Sequence, residues 1–486
     1  MTSNNPALEK FEARDFDPCT DQNAHAAILR HEQKQLVSAI RHAMGRGHKV
    51  VMCVMATGGG KTLTASYIAS QAVARGKRVL ILVHRARLMK QFSAALDRYE
   101  LAHGLIAPNV KFDATQKVQV AKVGSMKNRM AKIDWRPDLV IVDEAHHCVE
   151  KTMFGAVVEH YDVHSLLLSA TPWRLSGRGL GKGHGGYATA MVLGPDTAFL
   201  INKGNLAPYK LYSTPMPLDM SDAKIKGGDF SVAEIEERMK PAIVGNAVSH
   251  YAELARGKRA IVFTPSITIA ERVAADFRDA GFHFEAVHGE LKEEEQDALV
   301  EKLDQHEIDG LVSVDLVSEG FDLPAIECAI FLRPTASLSL WVQMVGRVLR
   351  PSPGKEFAII LDHVGNYKLG LPDDKFEWSL EGQEKGNKAK PKGTVRQCLE
   401  CFGVHRPAPE CPYCGHVYEV KERAELEEVE GKLVEIESMR LRSEERKKMI
   451  AKCKTYEDFL AVANKLGYKE SWARIRFDLR KNGVTQ

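Results

Sequence analysis

The run Met55-Ala56-Thr57-Gly58-Gly59-Gly60-Lys61-Thr62 constrains the fold of this chain more than any other segment. It follows an apolar stretch, Val50 to Met55, and leads into a helical pattern from Thr62 to Ala74. Glycines let a backbone turn tightly, so that its N–H groups point at phosphate oxygens, and the N-terminus of the following helix adds a favourable dipole. Thr57, Gly58, Gly59 and Gly60 are the candidate cradle. Lys61 is placed to reach the β- and γ-phosphates of ATP, and the Thr62 hydroxyl to ligate Mg²⁺. The strict pattern has a glycine where Met55 stands.

Around this loop, short runs rich in Val, Ile and Leu alternate with helical patterns. Val79 to Val83, Val118 to Val123, Leu139 to Val142 and Leu166 to Ser169 read as strands buried on both faces, with helices such as Arg87 to Tyr99 between them. The alternation resumes after a polar stretch from Asn205 to Asp229. Its strands are Ala260 to Thr264, Glu285 to His288, Leu311 to Val314, Cys328 to Leu332 and Phe357 to Leu361. The expected fold class is α/β, with two parallel-sheet lobes in tandem over residues 25–204 and 205–375. A polar tail over 1–24 precedes them. A basic linker over 376–396, a cysteine ribbon over 397–418 and a helical region over 419–486 follow. A chain of 486 residues has room for two or three cores.

Asp143 and Glu144 end the apolar strand Leu139 to Val142, at the carboxyl edge of the first sheet where ligands bind. Asp143 is the candidate Mg²⁺ holder, and Glu144 the group that orients and deprotonates the attacking water. His146 reads as a relay of hydrogen bonds towards Ser169 and Thr171. In the second lobe, Gln343, Arg347 and Arg350 share one face of an expected helix. Arginine suits this place because its planar donors match phosphate oxygens and its charge persists at any working pH. Gly320 and Asp322 are further candidates to face the nucleotide, and Gln33 is a candidate reader of the adenine edge.

These residues resemble those of the DEAH-box helicases of superfamily 2, and among them bacterial and phage DNA helicases related to the ATPase subunits of restriction enzymes. The resemblance covers roughly residues 25–365. It rests most on Asp143 to His146, Ser169 to Arg174 and Gln343 to Arg350. It implies two RecA-like lobes, ATP and Mg²⁺ in the cleft between them, and a nucleic-acid strand crossing both. By that likeness Arg85, Gly124, Ser125 and Thr264 are candidate strand contacts. DEAD-box RNA helicases place a threonine where this chain has Val314, ahead of Asp315. That departure and His146 favour DNA over RNA. The function expected is an ATP-dependent DNA helicase or translocase. The alternatives are a DEAH-type RNA helicase, or an ATP-driven clamp that recruits partners to DNA without unwinding it.

Cys398-Leu399-Glu400-Cys401 and Cys411-Pro412-Tyr413-Cys414 present two pairs of thiolates, enough to close a tetrahedral site around structural Zn²⁺. Lys385, Lys388, Lys390, Lys392 and Arg396 precede them, read either as a soluble linker or as a tether for phosphates. Beyond them, Glu422 to Glu437 is acidic, Arg440 to Lys454 largely basic, and Tyr456 to Leu479 has helical spacing. Arg474, Arg476 and Arg480 in that last stretch are further candidate DNA contacts, and the ribbon or tail a candidate docking place for a protein partner. No apolar run reaches the length of a membrane span, and the first residues lack the order of a secretory signal, so the expected location is the cytoplasm. Scattered cysteines fit a reducing compartment. A net charge of +3 requires any track for nucleic acid to be local.

Overall fold

The computed structural model describes residues 8–20, 28–215, 218–220, 222–239, 241–314, 326–383, 395–418, 449–466 and 470–481. Gly320 and Asp322, the four linker lysines and the acidic stretch Glu422 to Glu437 lie outside them. Residues Met1–Tyr418 form one compact unit and Glu419–Gln486 a second.

The first lobe is an eight-stranded sheet. Its strands are β1 (Glu9–Glu12), β2 (Val50–Val54), β3 (Val79–Val83), β4 (His103–Ile106), β5 (Val118–Lys122), β6 (Leu139–Val142), β7 (His164–Ser169) and β8 (Ala190–Leu193). They lie in the order β1-β8-β2-β7-β6-β3-β5-β4, and every pairing is parallel. The strands β3 and β6 are buried along their whole length, which is why their sequences are unbroken apolar runs. One apolar layer joins Ile81, Ile141 and Leu166 to the helices His31–Gly45 and Lys61–Ala74. The other joins Leu82, Val142 and Leu167 to the helix Met153–Tyr161. Residues Glu9–Glu12 read as part of a polar tail in the sequence. They instead extend this sheet, with Phe11 and Phe16 packed on its core.

The second lobe contains β9 (Tyr209–Ser213), a short hairpin of β10 (Ile225–Lys226) and β11 (Asp229–Phe230), then β12 (Ala260–Thr264), β13 (Phe284–Val287), β14 (Gly310–Val314), β15 (Cys328–Phe331), β16 (Ala358–Asp362), β17 (Arg396–Gln397) and β18 (Gly403–His405). Its main sheet runs β13-β14-β12-β15-β16-β9-β18-β17. From β13 to β9 it is parallel, and β18 then pairs antiparallel with β9, Val404 facing Leu211 and Gly403 facing Tyr212. The cysteine ribbon therefore forms the edge of the second lobe's sheet. Val404 is buried in that lobe's core, and the Tyr413 hydroxyl accepts from Leu211 N and donates to Val404 O, both at 3.2 Å.

Residues after β16 return to the first lobe. Gly181 N donates to Leu380 O (2.9 Å) and Gln383 N to Gly177 O (2.8 Å), while Leu380 enters the first lobe's core. In the second compact unit, the helices Tyr456–Leu466 and Glu470–Lys481 pack around Cys453, Phe459, Ala463 and Ala473. Arg480 donates to Ile450 O and Ala451 O, which precede these two helices in the chain, while Arg474 is exposed.

Candidate active site

The loop after β2 opens the helix Lys61–Ala74 through Gly60, whose φ of +93° is one that residues with a Cβ rarely adopt. No side chain caps this helix, so its first amide groups are left for a ligand. Met55 is buried and belongs to the core beneath the loop. A Cβ on Gly59 would lie 2.6 Å from the Met55 sulfur, so the departure from the strict pattern is absorbed by packing. The Lys61 ammonium donates to Met55 O at 3.1 Å. Burial lowers the Lys61 pKa, and the Glu144 and Asp143 carboxylates oppose that shift.

Gln33 lies under the loop. Its Nε2 donates to Gly59 O (3.1 Å), and its Oε1 accepts from Arg30 N (2.9 Å). Arg30 donates to the same Gly59 carbonyl at 2.6 Å. The sequence reading missed Arg30, which lies three residues before Gln33.

Asp143 and Glu144 stand at the carboxyl end of β6, next to β3, and Asp143 N donates to Leu82 O. Glu144 has a left-handed backbone (φ +49°), a strained conformation for a residue with a side chain and one that gathers at functional sites. Its Oε2 lies 3.5 Å from His146 Nδ1. Burial and the Glu144 charge push the Asp143 carboxyl up to about 7, against the pull of Lys61. Burial also pushes Glu144 up, but His146, Lys61, Arg347 and His84 outweigh it and leave its pKa lowered. The Asp143 carboxyl and the Thr62 hydroxyl are hard oxygen donors of the kind Mg²⁺ takes, so the candidate donors fit that ion in type. Ser169 Oγ donates to Thr171 O (2.6 Å), and Met55 N donates to Ser169 O (3.1 Å), which ties this turn to the phosphate loop.

The helix Leu338–Val348 brings the second lobe against the loop. A Cβ on Gly346 would lie 2.5 Å from Thr57 Cβ, and one on Gly58 would lie 3.7 Å from Arg350 Cγ. Gln343 and Arg347 are buried at this contact. Arg350 lies beyond the helix instead of on its face, because Pro351 disfavours helical geometry in the residue before it. Trp173 of the first lobe enters the second lobe's core. Its indole N–H donates to Ser379 O (2.8 Å), and its ring meets Trp378 edge-on at 4.8 Å. Arg87 forms an ion pair with Asp297 across the lobes. Trp173 and Arg87 follow Thr171-Pro172 and Arg85 closely in the chain, but apolar burial and cross-lobe pairing leave no local pattern to read.

Arg85 lines an open cleft with His84, Arg87, Lys122 and Gln296, between the two lobes. Gly124 and Ser125 lie in the helix Val123–Arg129. Thr264 is buried, and its hydroxyl donates to Ser313 O at 3.2 Å, so in this structure it offers no surface to a strand.

The four ribbon cysteines converge, with every pair of sulfurs within 4.8 Å. Cys398 and Cys414 sulfurs are 3.8 Å apart, and those of Cys401 and Cys411 are 3.7 Å apart. A tetrahedron with Zn–S bonds of about 2.3 Å has S···S edges of about 3.8 Å, so the cluster fits zinc in donor type and size. Among the described residues no helix is long and apolar enough to cross a membrane.

Two family models match the chain: the type III restriction enzyme res subunit over residues 27–174, and the helicase conserved C-terminal domain over residues 240–352. A 51.5 kDa protein of a Lactococcus phage is 34% identical over 390 residues, covering 79% of this chain and 82% of its own length. The type I restriction enzyme EcoKI endonuclease subunit of Escherichia coli is 25% identical over 391 residues, and the match spans 67% of this chain and 33% of that subunit. The fold is shared with the ATP-dependent type ISP restriction-modification enzyme LlaBIII bound to DNA, at a TM-score of 0.50 and 19% identity, over 71% of this chain and 28% of that one. With one matched model lying on the first lobe and the other on the second, the chain belongs to the superfamily 2 helicases, the nucleic-acid-dependent ATPases.

Proposed function

We propose that the protein hydrolyses Mg-ATP in the cleft between its lobes and uses the cycle to move along DNA. The observation that carries this reading is the seating of Gly346 against Thr57, which brings Arg347 into the electrostatic field of Lys61, Asp143 and Glu144. Lys61 and the amides of Gly58 to Thr62 bind the phosphates. Thr62 and Asp143 would hold Mg²⁺, which neutralises phosphate charge when bound. Glu144, whose depressed pKa keeps it ionised, orients a water and takes its proton. Arg347 and Arg350 supply charge to the transferring phosphoryl group from the opposite lobe, so hydrolysis depends on lobe closure. Gln343, one helical turn before Arg347, supports the same contact.

DNA is favoured over RNA as the track by the restriction-enzyme likenesses and by Val314, whose side chain carries no hydroxyl for an RNA backbone. Arg85, Gly124 and Ser125 are the first-lobe strand contacts in this reading. Cys398, Cys401, Cys411 and Cys414 hold structural zinc that closes the edge of the second sheet. Steady-state ATPase activity with no nucleic acid, single-stranded, duplex and forked DNA, and RNA tests the proposal, with Glu144→Gln and Lys61→Ala as controls. DNA should stimulate turnover strongly, and both variants should lose it while still binding DNA. Stimulation by RNA alone would overturn the choice of track. Slow, unstimulated turnover would favour a clamp.

A further inference from the structure

The helix Leu338–Val348 ends before Arg350, and the last carbonyls of any helix have no partner inside it. Lys355 meets them from the following turn. Its ammonium donates to Val348 O, to Arg350 O (2.8 Å) and to Ile326 O (2.6 Å). Ile326 follows the segment that carries Gly320 and Asp322 and leads into β15. One side chain therefore ties the backbone on both sides of Leu349 to the entry of the neighbouring strand. A cation is favoured at a helix C-terminus, and an ammonium has three donors for these three acceptors.

We propose that Lys355 is a positioning residue for the second-lobe half of the ATP site, holding the backbone of Val348 to Arg350 so that Arg347 and Arg350 reach the nucleotide together. This rests on the reading that those arginines act on the nucleotide. Lys355 itself touches only protein in this role. Burial lowers its pKa to about 8, with the Glu327 carboxylate opposing the shift and Arg259 adding to it, the charged side chains that act on it among the described residues. Deprotonation removes one of the three donors and the charge at the helix end. The arrangement is intact below pH 8 and weakens as pH rises through it.

The test uses the full chain, with kcat and KM for ATP measured at saturating DNA from pH 6.5 to 9.5, beside melting curves. Lys355→Met should lower kcat about 30- to 100-fold with KM for ATP within about threefold, the signature of displaced groups with an intact phosphate loop. Lys355→Arg keeps the charge, so it should recover kcat to within about tenfold of the parent and move the alkaline fall of activity up by more than about one pH unit. Lys355→Met with kcat within threefold of the parent overturns the inference. So does a Lys355→Arg variant that is folded, equally impaired and unchanged in its alkaline limb. A Lys355→Met variant that has melted at the assay temperature, with Lys355→Arg showing parental pH dependence, assigns the lysine to stability alone and also overturns it. Arg347→Ala runs alongside: full activity there defeats the reading of the arginines, whereas loss there with normal Lys355→Met defeats only the role of Lys355.

Discussion

Each lobe contains a buried strand that turns directly into a helix, and the two turns differ in chemistry. In the first lobe, β2 passes through a glycine loop into a helix whose N-cap, Gly60, offers no side chain. In the second, β12 passes through Pro265 into a helix whose N-cap, Ser266, accepts a hydrogen bond from Ile269 N through its hydroxyl. The serine satisfies one of the amides that the glycine loop leaves open. On the proposed function, the first turn receives phosphates, while the second holds itself closed and its lobe contributes charged side chains from a different helix. Two sheets of like architecture thus end in unlike turns, and the proposed function gives them unlike halves of one site.

The largest effect should come from breaking that division at its charged end. Arg347→Ala should lower kcat by about 10³-fold or more while leaving the affinity for a non-hydrolysed ATP analogue within a few-fold. A loss smaller than tenfold would remove the second lobe from the chemistry.

Next is the seam itself. Gly346→Val would place side-chain atoms where Thr57 already stands, so the lobes should fail to close and turnover should fall about a hundredfold. Circular dichroism should show both sheets folded; normal turnover in this variant would mean that the site works with the lobes apart.

The ribbon sharpens the contrast at the sheet edge. Metal analysis should find about one zinc per chain. Because β18 is part of the second sheet, Cys401→Ser should lower the melting temperature of the second lobe and leave the first nearly unchanged. Hydrogen exchange resolved by segment would read this directly, and equal protection in the parent and the variant would detach the metal from the lobe's stability.

The smallest effect is expected at Ser266. Replacing it by alanine should cost about 1 kcal/mol of stability and leave ATPase activity unchanged. A large loss of activity there would mean that the second turn also meets a ligand.

Much of this architecture is legible locally. Strands buried on both faces must be nearly continuous in Val, Ile and Leu, so β3, β6 and β12 stand out. A phosphate loop needs its glycines, lysine and threonine within a few residues, and a tetrahedral thiolate site needs paired cysteines. The spacing of Arg347 and Arg350 reads as one helix face, whereas the helix stops at Val348, ahead of Pro351. The edges are less legible. β1 and β9 mix half-buried residues with exposed or buried ones and so show no continuous apolar run, and the surfaces that complete these two strands, and β8 and β18, come from distant segments.

The sequence by itself determined two parallel sheets, the glycine loop between β2 and its helix, the acids at the end of β6 and the cysteine cluster, because each depends on neighbours in the chain. Only the tertiary structure decided that Gly346 seats on Thr57, that Trp173 enters the opposite core, that the ribbon completes a sheet and that Lys355 joins three carbonyls. Those arrangements depend on steric fit and on backbone acceptors, and a carbonyl carries no mark in the sequence of the side chain that will reach it.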